Sequence, residues 1–273
     1  MPELPEVETI ARALQSGGRG QLAIPGRVIG SVDLLWERTL AEPGRIEFER
    51  RMPGQAVLEV SRRAKYLLLS LTSDTMLIHL RMSGDLRVED DQLPVLKHDR
   101  LLVHFQDGMR LAFNDTRKFG RVWLTAEPRQ VLKGLGPEPF DPNLDAGAFR
   151  NMLQSTRRQI KPLLLDQSFL AGVGNIYSDE ALHIAGIHPL TSANQITFEQ
   201  GAKLLNAVRS VLKEGIRRNG ASFDWVYRGG DFQYYFRVYQ RTGEACPVCG
   251  TPVERRMIGQ RSSHYCPTCQ PAP

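Results

Sequence analysis

Four cysteines near the C-terminus restrict this 273-residue chain more than any other feature. Cys246-Pro-Val-Cys249 is followed, after sixteen residues, by Cys266-Pro-Thr-Cys269. A gap of two residues lets both thiolates of a tight knuckle face one ion, and Gly250 eases the turn after the first pair. Two such knuckles supply four soft ligands for a tetrahedral zinc. The competing reading is two disulfides or free thiols, which suits a secreted chain better than an intracellular one. Four cysteines leave no coordination position open, so the metal is expected to be structural. His264, between the pairs, would be a fifth ligand and is expected to face solvent or touch backbone instead. Arg255, Arg256 and Arg261 lie in the same segment. Zinc ribbons name no activity, but a basic one points toward nucleic acid.

The whole chain leans the same way. Its net charge of +5 and isoelectric point near 9.1 favour an acidic partner, nucleic acid before anionic membrane. Hydrophobic residues make up 41% of it, enough for a real core. No run approaches the ~18 apolar residues a membrane span needs. The opening Met-Pro-Glu-Leu-Pro-Glu is acidic and proline-punctuated, opposite to a signal peptide's basic-then-apolar order. A soluble, cytoplasmic protein without a membrane partner is expected.

Along the chain, Pro5 opens an amphipathic helix with Val7, Ile10, Ala11 and Leu14 on one face, stopped by Gly17-Gly18. From about Val28 to Leu124 the pattern changes to strands. Residues 57–71 are rich in β-branched residues and leucine around a basic Ser-Arg-Arg-Ala-Lys insert. Asp107-Gly108 is a two-residue hairpin signal between 101–106 and 109–114. Several short strands separated by turns predict a sandwich or barrel. A proline- and glycine-rich connector between Glu127 and Asp145 suggests a domain boundary. Helices then dominate: one with Pro162 in its first turn, one opening near Asn175, and one behind the Thr197/Gln200 capping box. In the last, Phe198, Ala202, Leu205, Leu212 and Ile216 form a stripe expected to be core, ending at Gly220.

Five segments then carry a resemblance. Met1-Pro-Glu-Leu-Pro-Glu-Val-Glu, Arg81-Met-Ser-Gly84, Asn114-Asp-Thr-Arg-Lys-Phe-Gly120, Ala171-Gly-Val-Gly-Asn-Ile-Tyr-Ser-Asp-Glu180 and Gln260-Arg-Ser-Ser-His-Tyr-Cys occur in order over nearly the whole chain. Together they resemble the formamidopyrimidine-DNA glycosylase family, the bacterial 8-oxoguanine glycosylases and abasic-site lyases. The related endonuclease VIII branch usually has glycine where Leu4 stands. The resemblance implies a multidomain α+β fold: an N-terminal β-sandwich with an N-terminal helix, a helix–two-turn–helix domain and a C-terminal zinc finger. Expected bounds are 1–130 for the catalytic sandwich, 131–148 for a linker, 149–232 for the helix–two-turn–helix domain with a lesion-recognition loop, and 233–273 for the finger.

Its implied chemistry is intelligible from the residues. Methionine before proline is normally removed, which frees the Pro2 amine; an α-amino group has a pKa near ~8, so a useful neutral fraction exists at pH 7. Attack at C1′ of a deoxyribose expels the damaged base and leaves an iminium, which acidifies C2′ and permits elimination. By resemblance Glu3 is the proton donor, Lys65 assists β-elimination, and Arg261 grips phosphate and serves δ-elimination. Glu6 would hold a water or the Pro2 amine. Taken alone, Pro2-Glu3 and Pro5-Glu6 read as a plain helix start. Met82, Arg117 and Phe119 match residues inserted into DNA where the target base leaves the stack. Asn175, at a glycine-rich helix start, matches a phosphate contact, and His98, Arg117, Arg157 and Lys161 match further DNA contacts. His188-Pro189 is expected to close a turn.

The expected activity is removal of oxidised purines from duplex DNA with cleavage of the abasic strand, by a monomer carrying one structural zinc. The segment after Gly220 is shorter than the family's usual lesion-covering loop, which favours formamidopyrimidines over 8-oxoguanine. Two alternatives stay open. An endonuclease VIII-like enzyme would prefer oxidised pyrimidines, and a zinc-ribbon DNA-binding protein would bind without cutting.

Overall fold

The computed structural model describes residues 1–18, 20, 22–222 and 229–273. The chain divides into two compact units, 1–133 with 219–230, and 134–218 with 231–273. No helix among the described residues is long and apolar enough to cross a membrane.

In the first unit, α1 spans Leu4–Ser16. The strands are β1 (Ile29–Leu34), β2 (Leu40–Glu42), β3 (Val57–Arg63), β4 (Tyr66–Leu71), β5 (Thr75–His79), β6 (Gly84–Asp90), β7 (Asp99–Phe105), β8 (Met109–Asp115) and β9 (Arg121–Thr125). They form a four-stranded sheet, β1-β7-β8-β6, and a five-stranded sheet, β2-β9-β5-β4-β3. Alternation dictates which faces meet: Leu86 and Val88 of β6, Leu67, Leu69 and Leu71 of β4, and Leu111 and Phe113 of β8 are buried in one shared apolar core. Val7, Ile10, Ala11 and Leu14 of α1 join the same core, as their helical spacing requires. The β7–β8 hairpin turns at Asp107-Gly108, with Gly108 at φ 81°.

A short helix, α2 (Arg45–Arg51), interrupts the strand region and carries no readable period. Phe48 is its only buried residue, and Arg45–Glu49 (2.7 Å) and Glu47–Arg51 (2.8 Å) pairs support it. Another short helix, α3 (Pro128–Val131), lies in the connector.

The second unit holds α4 (Ala146–Gln154), α5 (Ile160–Leu165), α6 (Asn175–Ala185), α7 (Phe198–Arg217) and the hairpin β10 (Glu254–Ile258)–β11 (Arg261–Tyr265). The capping box at α7 forms in both directions: Thr197 Oγ1 accepts from Gln200 N at 3.2 Å, and Gln200 Oε1 from Thr197 N at 2.9 Å. The buried stripe of α7 is Leu204, Leu205, Val208, Val211 and Leu212. Phe198 departs from expectation. It is 43% exposed, at the first turn, with the Arg150 guanidinium over its ring, so the core begins one turn later. α7 also ends at Arg217, three residues before Gly220. His188 closes a turn as expected, its Nδ1 accepting from Leu190 N at 3.2 Å.

Candidate active site and nucleic-acid interface

The N-terminus of α1 is enclosed. Pro2 and Glu3 are buried beneath an exposed Met1. Glu3 is the N-cap, and its side chain and that of Glu6 each accept the other's backbone N–H, the Glu3 N to Glu6 Oε2 bond being 2.8 Å. Glu6 Oε1 accepts from Ala221 N, also at 2.8 Å. The Glu6 carboxylate therefore joins the start of α1 to the Gly220-Ala221 turn, and a water or the Pro2 nitrogen would have to share it. Gly220 is required there: at φ 81° it is left-handed, and a Cβ would fall 2.7 Å from Glu6 Cγ. Lys65 lies in the two-residue loop between β3 and β4, after Ala64 at φ 54°, and its side chain is recessed into the unit.

The three expected inserting residues sit on two loops tied to one carboxylate. Met82 and Phe119 are 37% and 50% exposed, and the exposed Arg117 guanidinium lies over the Phe119 ring at 5.1 Å. Beneath them Asp115 is fully buried. It accepts from Ser83 Oγ, from Arg117 N at 3.2 Å and from Gly120 N at 2.7 Å, while Ser83 Oγ itself accepts from Arg117 N at 3.0 Å. Gly84 and Gly120 are needed because a Cβ at either would strike the Phe113 ring, at 2.8 and 2.4 Å. A hydrogen-bonded backbone thus presents three solvent-exposed tips.

A residue not singled out from the sequence completes this framework. His79 Nδ1 accepts the backbone N–H of Arg81 at 3.0 Å, holding Arg81 at φ 54° immediately before Met82. A nitrogen that accepts carries no proton, so the ring is the neutral Nε2–H tautomer. Burial, then the nearby Arg81 and Lys65 charges, hold its pKa down to about 3 from the usual 6.5. Between those values the unfolded chain binds a proton that the folded chain refuses. His79 therefore costs stability as pH falls below 6.5 and contributes no slope above it. The expected result is that His79→Gln, compared with the parent by urea unfolding, flattens the decline between pH 6 and 4 by about 1.4 kcal/mol per unit. Parallel profiles would refute it.

His98 is placed to donate. Its Nδ1 lies 3.2 Å from Arg100 Nη2, and a guanidinium can only donate, so the proton sits on Nε2.

In the second unit, Arg157 is exposed and without a protein partner among the described residues. Arg261 is exposed at the start of β11, directly after Gly259 and Gln260 at φ 54° and 62°, the positive pair that a type I′ hairpin turn requires. Asn175 is the first residue of α6. Its Nδ2 donates to Ser262 O at 3.0 Å, which leaves one amide N–H for another acceptor at the positive helix end.

Lys161 corrects the expectation of a DNA contact. Its side chain is 0% exposed, and Nζ spends its three donors on Asn175 O (3.0 Å), Ser178 Oγ (2.7 Å) and Asp179 Oδ1 (2.6 Å). No donor remains for a phosphate, and the ammonium lies inside the fold. His264 is likewise not solvent-facing. It is buried, and its backbone N and Nδ1 both lie 3.0 Å from Asp179 Oδ2.

The cysteine sulfurs meet as their spacing requires. All four lie within 4.8 Å of one another, with Cys249–Cys266 at 3.4 Å, Cys249–Cys269 at 3.5 Å and Cys246–Cys269 at 3.8 Å. A tetrahedron with Zn–S bonds of about 2.3 Å has edges of about 3.8 Å. The donor set fits one structural zinc, and His264 is not among the ligands.

Comparison with known proteins agrees with this geometry. The formamidopyrimidine-DNA glycosylase N-terminal domain matches residues 1–122, the H2TH domain of the same proteins 135–225, and a zinc finger found in FPG and IleRS 243–272. The formamidopyrimidine-DNA glycosylases of Chloroflexus aurantiacus and Heliobacterium modesticaldum are each 44% identical over 99% of this chain and 98% and 100% of their own. Two structures of Lactococcus lactis Fpg, with DNA containing an abasic site and with DNA containing N7-benzyl-Fapy-dG, match at TM-scores of 0.91 and 0.92. Both are 34% identical, covering 99% of this chain and 100% of those chains. Matched along nearly its whole length, the chain belongs to the formamidopyrimidine-DNA glycosylase family.

Proposed function

We propose that this protein excises formamidopyrimidines and 8-oxoguanine from duplex DNA and then cleaves the abasic strand by β,δ-elimination. Family membership over the full length supports the class of reaction. The observation that carries the specific reading is the pairing of an enclosed Pro2-Glu3 start with Met82, Arg117 and Phe119 on a rigid framework in the same unit.

Once Met1 is removed, the neutral Pro2 nitrogen attacks C1′ and the C1′–N bond to the base breaks. Glu3 gives a proton to the ring oxygen, the sugar opens, and nitrogen and C1′ form an iminium. Loss of the C2′ proton expels the 3′ phosphate, with Lys65 beside that phosphate. A second elimination, aided by Arg261, expels the 5′ phosphate. Met82 and Phe119 fill the gap left by the everted nucleotide, and Arg117 meets the orphaned base. Asn175 binds a phosphate, and His98 and Arg157 make further contacts with the DNA. We place the catalytic domain at 1–130, the linker at 131–148, the helix–two-turn–helix domain at 149–232 and the finger at 233–273, in a cytoplasmic monomer acting at the nucleoid.

The lesion preference rests on the segment after Gly220, whose residues 223–228 lie outside those described. The test is a panel of duplexes, each with one lesion. Formamidopyrimidines should be cut about tenfold faster than 8-oxoguanine, a difference of ~1.4 kcal/mol in barrier. Faster cutting of oxidised pyrimidines would transfer the protein to the endonuclease VIII-like reading. Binding with no nicking of abasic DNA would make it a non-catalytic binder.

A further inference from the structure

Helix α6 grips the zinc finger along a single face. Asn175, Asp179 and His183 stand at i, i+4 and i+8, and each reaches the finger. Asn175 bonds Ser262 O and Asp179 bonds His264, which fastens the β10–β11 hairpin. The third contact is to a zinc ligand itself: His183 Nε2 lies 3.3 Å from Cys246 Sγ.

His183 and Cys246 are 4% and 3% exposed, so water is a poor substitute for either partner. A zinc-bound cysteine is a thiolate with no proton to give, so the hydrogen of this bond belongs to Nε2. The neutral ring then keeps a lone pair on Nδ1, which is buried without a partner among the described residues; an N–H there would be a costlier orphan. The charge of the centre gives the bond its purpose. Four thiolates around one divalent ion leave two net negative charges. Cys249 is exposed and can be hydrated, whereas the buried Cys246 must be stabilised by protein donors.

We infer that His183 is part of the metal centre: its Nε2–H bonds to the Cys246 thiolate, carries part of that sulfur's charge and holds it in place. α6 is then the element to which the finger is keyed, from its first turn at Asn175 to its last at the zinc site.

The test compares the full-length protein with His183→Phe and His183→Gln, loaded with zinc or cobalt. With the Phe variant, zinc passes to a chelator about 10–100-fold faster, the usual effect of losing a group that supports a metal ligand. The sulfur-to-cobalt charge-transfer band moves to lower energy, because an unbonded thiolate gives up its electrons more readily. The Gln variant keeps an N–H donor and recovers most of both properties. Unchanged release and spectrum in a folded Phe variant overturn the inference. So does equally fast release from both variants with the band unmoved, which would reduce His183 to packing. If the Phe variant fails to fold, His183→Asn, whose shorter amide falls short of Sγ, is read against the same two outcomes.

Discussion

Blocking the amine of Pro2 should abolish the covalent product that borohydride traps between this protein and abasic DNA, while leaving DNA binding close to its original strength. The reasoning begins with valence. With Met1 in place, the Pro2 nitrogen belongs to a tertiary amide, has no usable lone pair and cannot attack C1′. An N-terminal extension that cannot be removed reproduces this condition without altering another residue. The proposed phosphate contacts and inserting side chains would be unaffected by the block, so affinity for an abasic analogue should survive. Removing the nucleophile of a serine protease lowers turnover by about 10⁶-fold, and loss approaching that scale is expected in strand cleavage. Pro2→Gly should also lose the adduct. Its terminal amine is present, but the ring that fixes φ and fills the enclosed site beneath Met1 is gone. Trapping that persists when the amine is blocked would remove Pro2 as the nucleophile.

Features encoded within a few residues were legible in the sequence. The α1 face, the Asp107-Gly108 hairpin, the Thr197/Gln200 box and the two cysteine knuckles all rest on spacings of two to four residues, where local geometry decides. What escaped depends on residues distant in the chain. Asp115 binds Ser83, thirty-two positions away, and only the paired strands β6 and β8 bring them together. His79 is the exception: only two positions separate it from Arg81, and the left-handed turn at Arg81, φ 54°, brings the Arg81 N–H to its Nδ1. Asp179 and Glu180 are adjacent acids on α6 that a surface reading would give to solvent. Both are buried: Asp179 binds Lys161 and His264, and Glu180 accepts N–H bonds from Arg237, Val238 and Tyr239 at 2.8–3.0 Å. The available signal was their place in a helix whose neighbours Ile176, Tyr177, Ala181 and Leu182 are apolar. Phe198 failed in the other direction, since periodicity marks a face but not where along it the core begins.

Lys161 supplies the second large expected effect. If it bound phosphate, Lys161→Met would weaken DNA binding and leave stability alone. The structure predicts the reverse order of consequences. Lys161 Nζ and Asp179 Oδ1 are 2.6 Å apart, at 0% and 1% exposure. Removing one member of such a pair leaves the other charge buried without its counterion, at a cost of about 3–5 kcal/mol. Asp179→Asn should therefore shift the urea midpoint strongly, because it keeps the shape but strands the ammonium and weakens the hold on His264. Lys161→Met should be nearly as costly, and the double variant less destabilised than the two single losses added together, which is the mark of direct coupling. DNA affinity of the folded Lys161→Met protein should change little. A Lys161→Met variant that keeps its urea midpoint but binds DNA poorly would restore the phosphate role and undo the assignment of this buried pair as the fastening between α5, α6 and the finger.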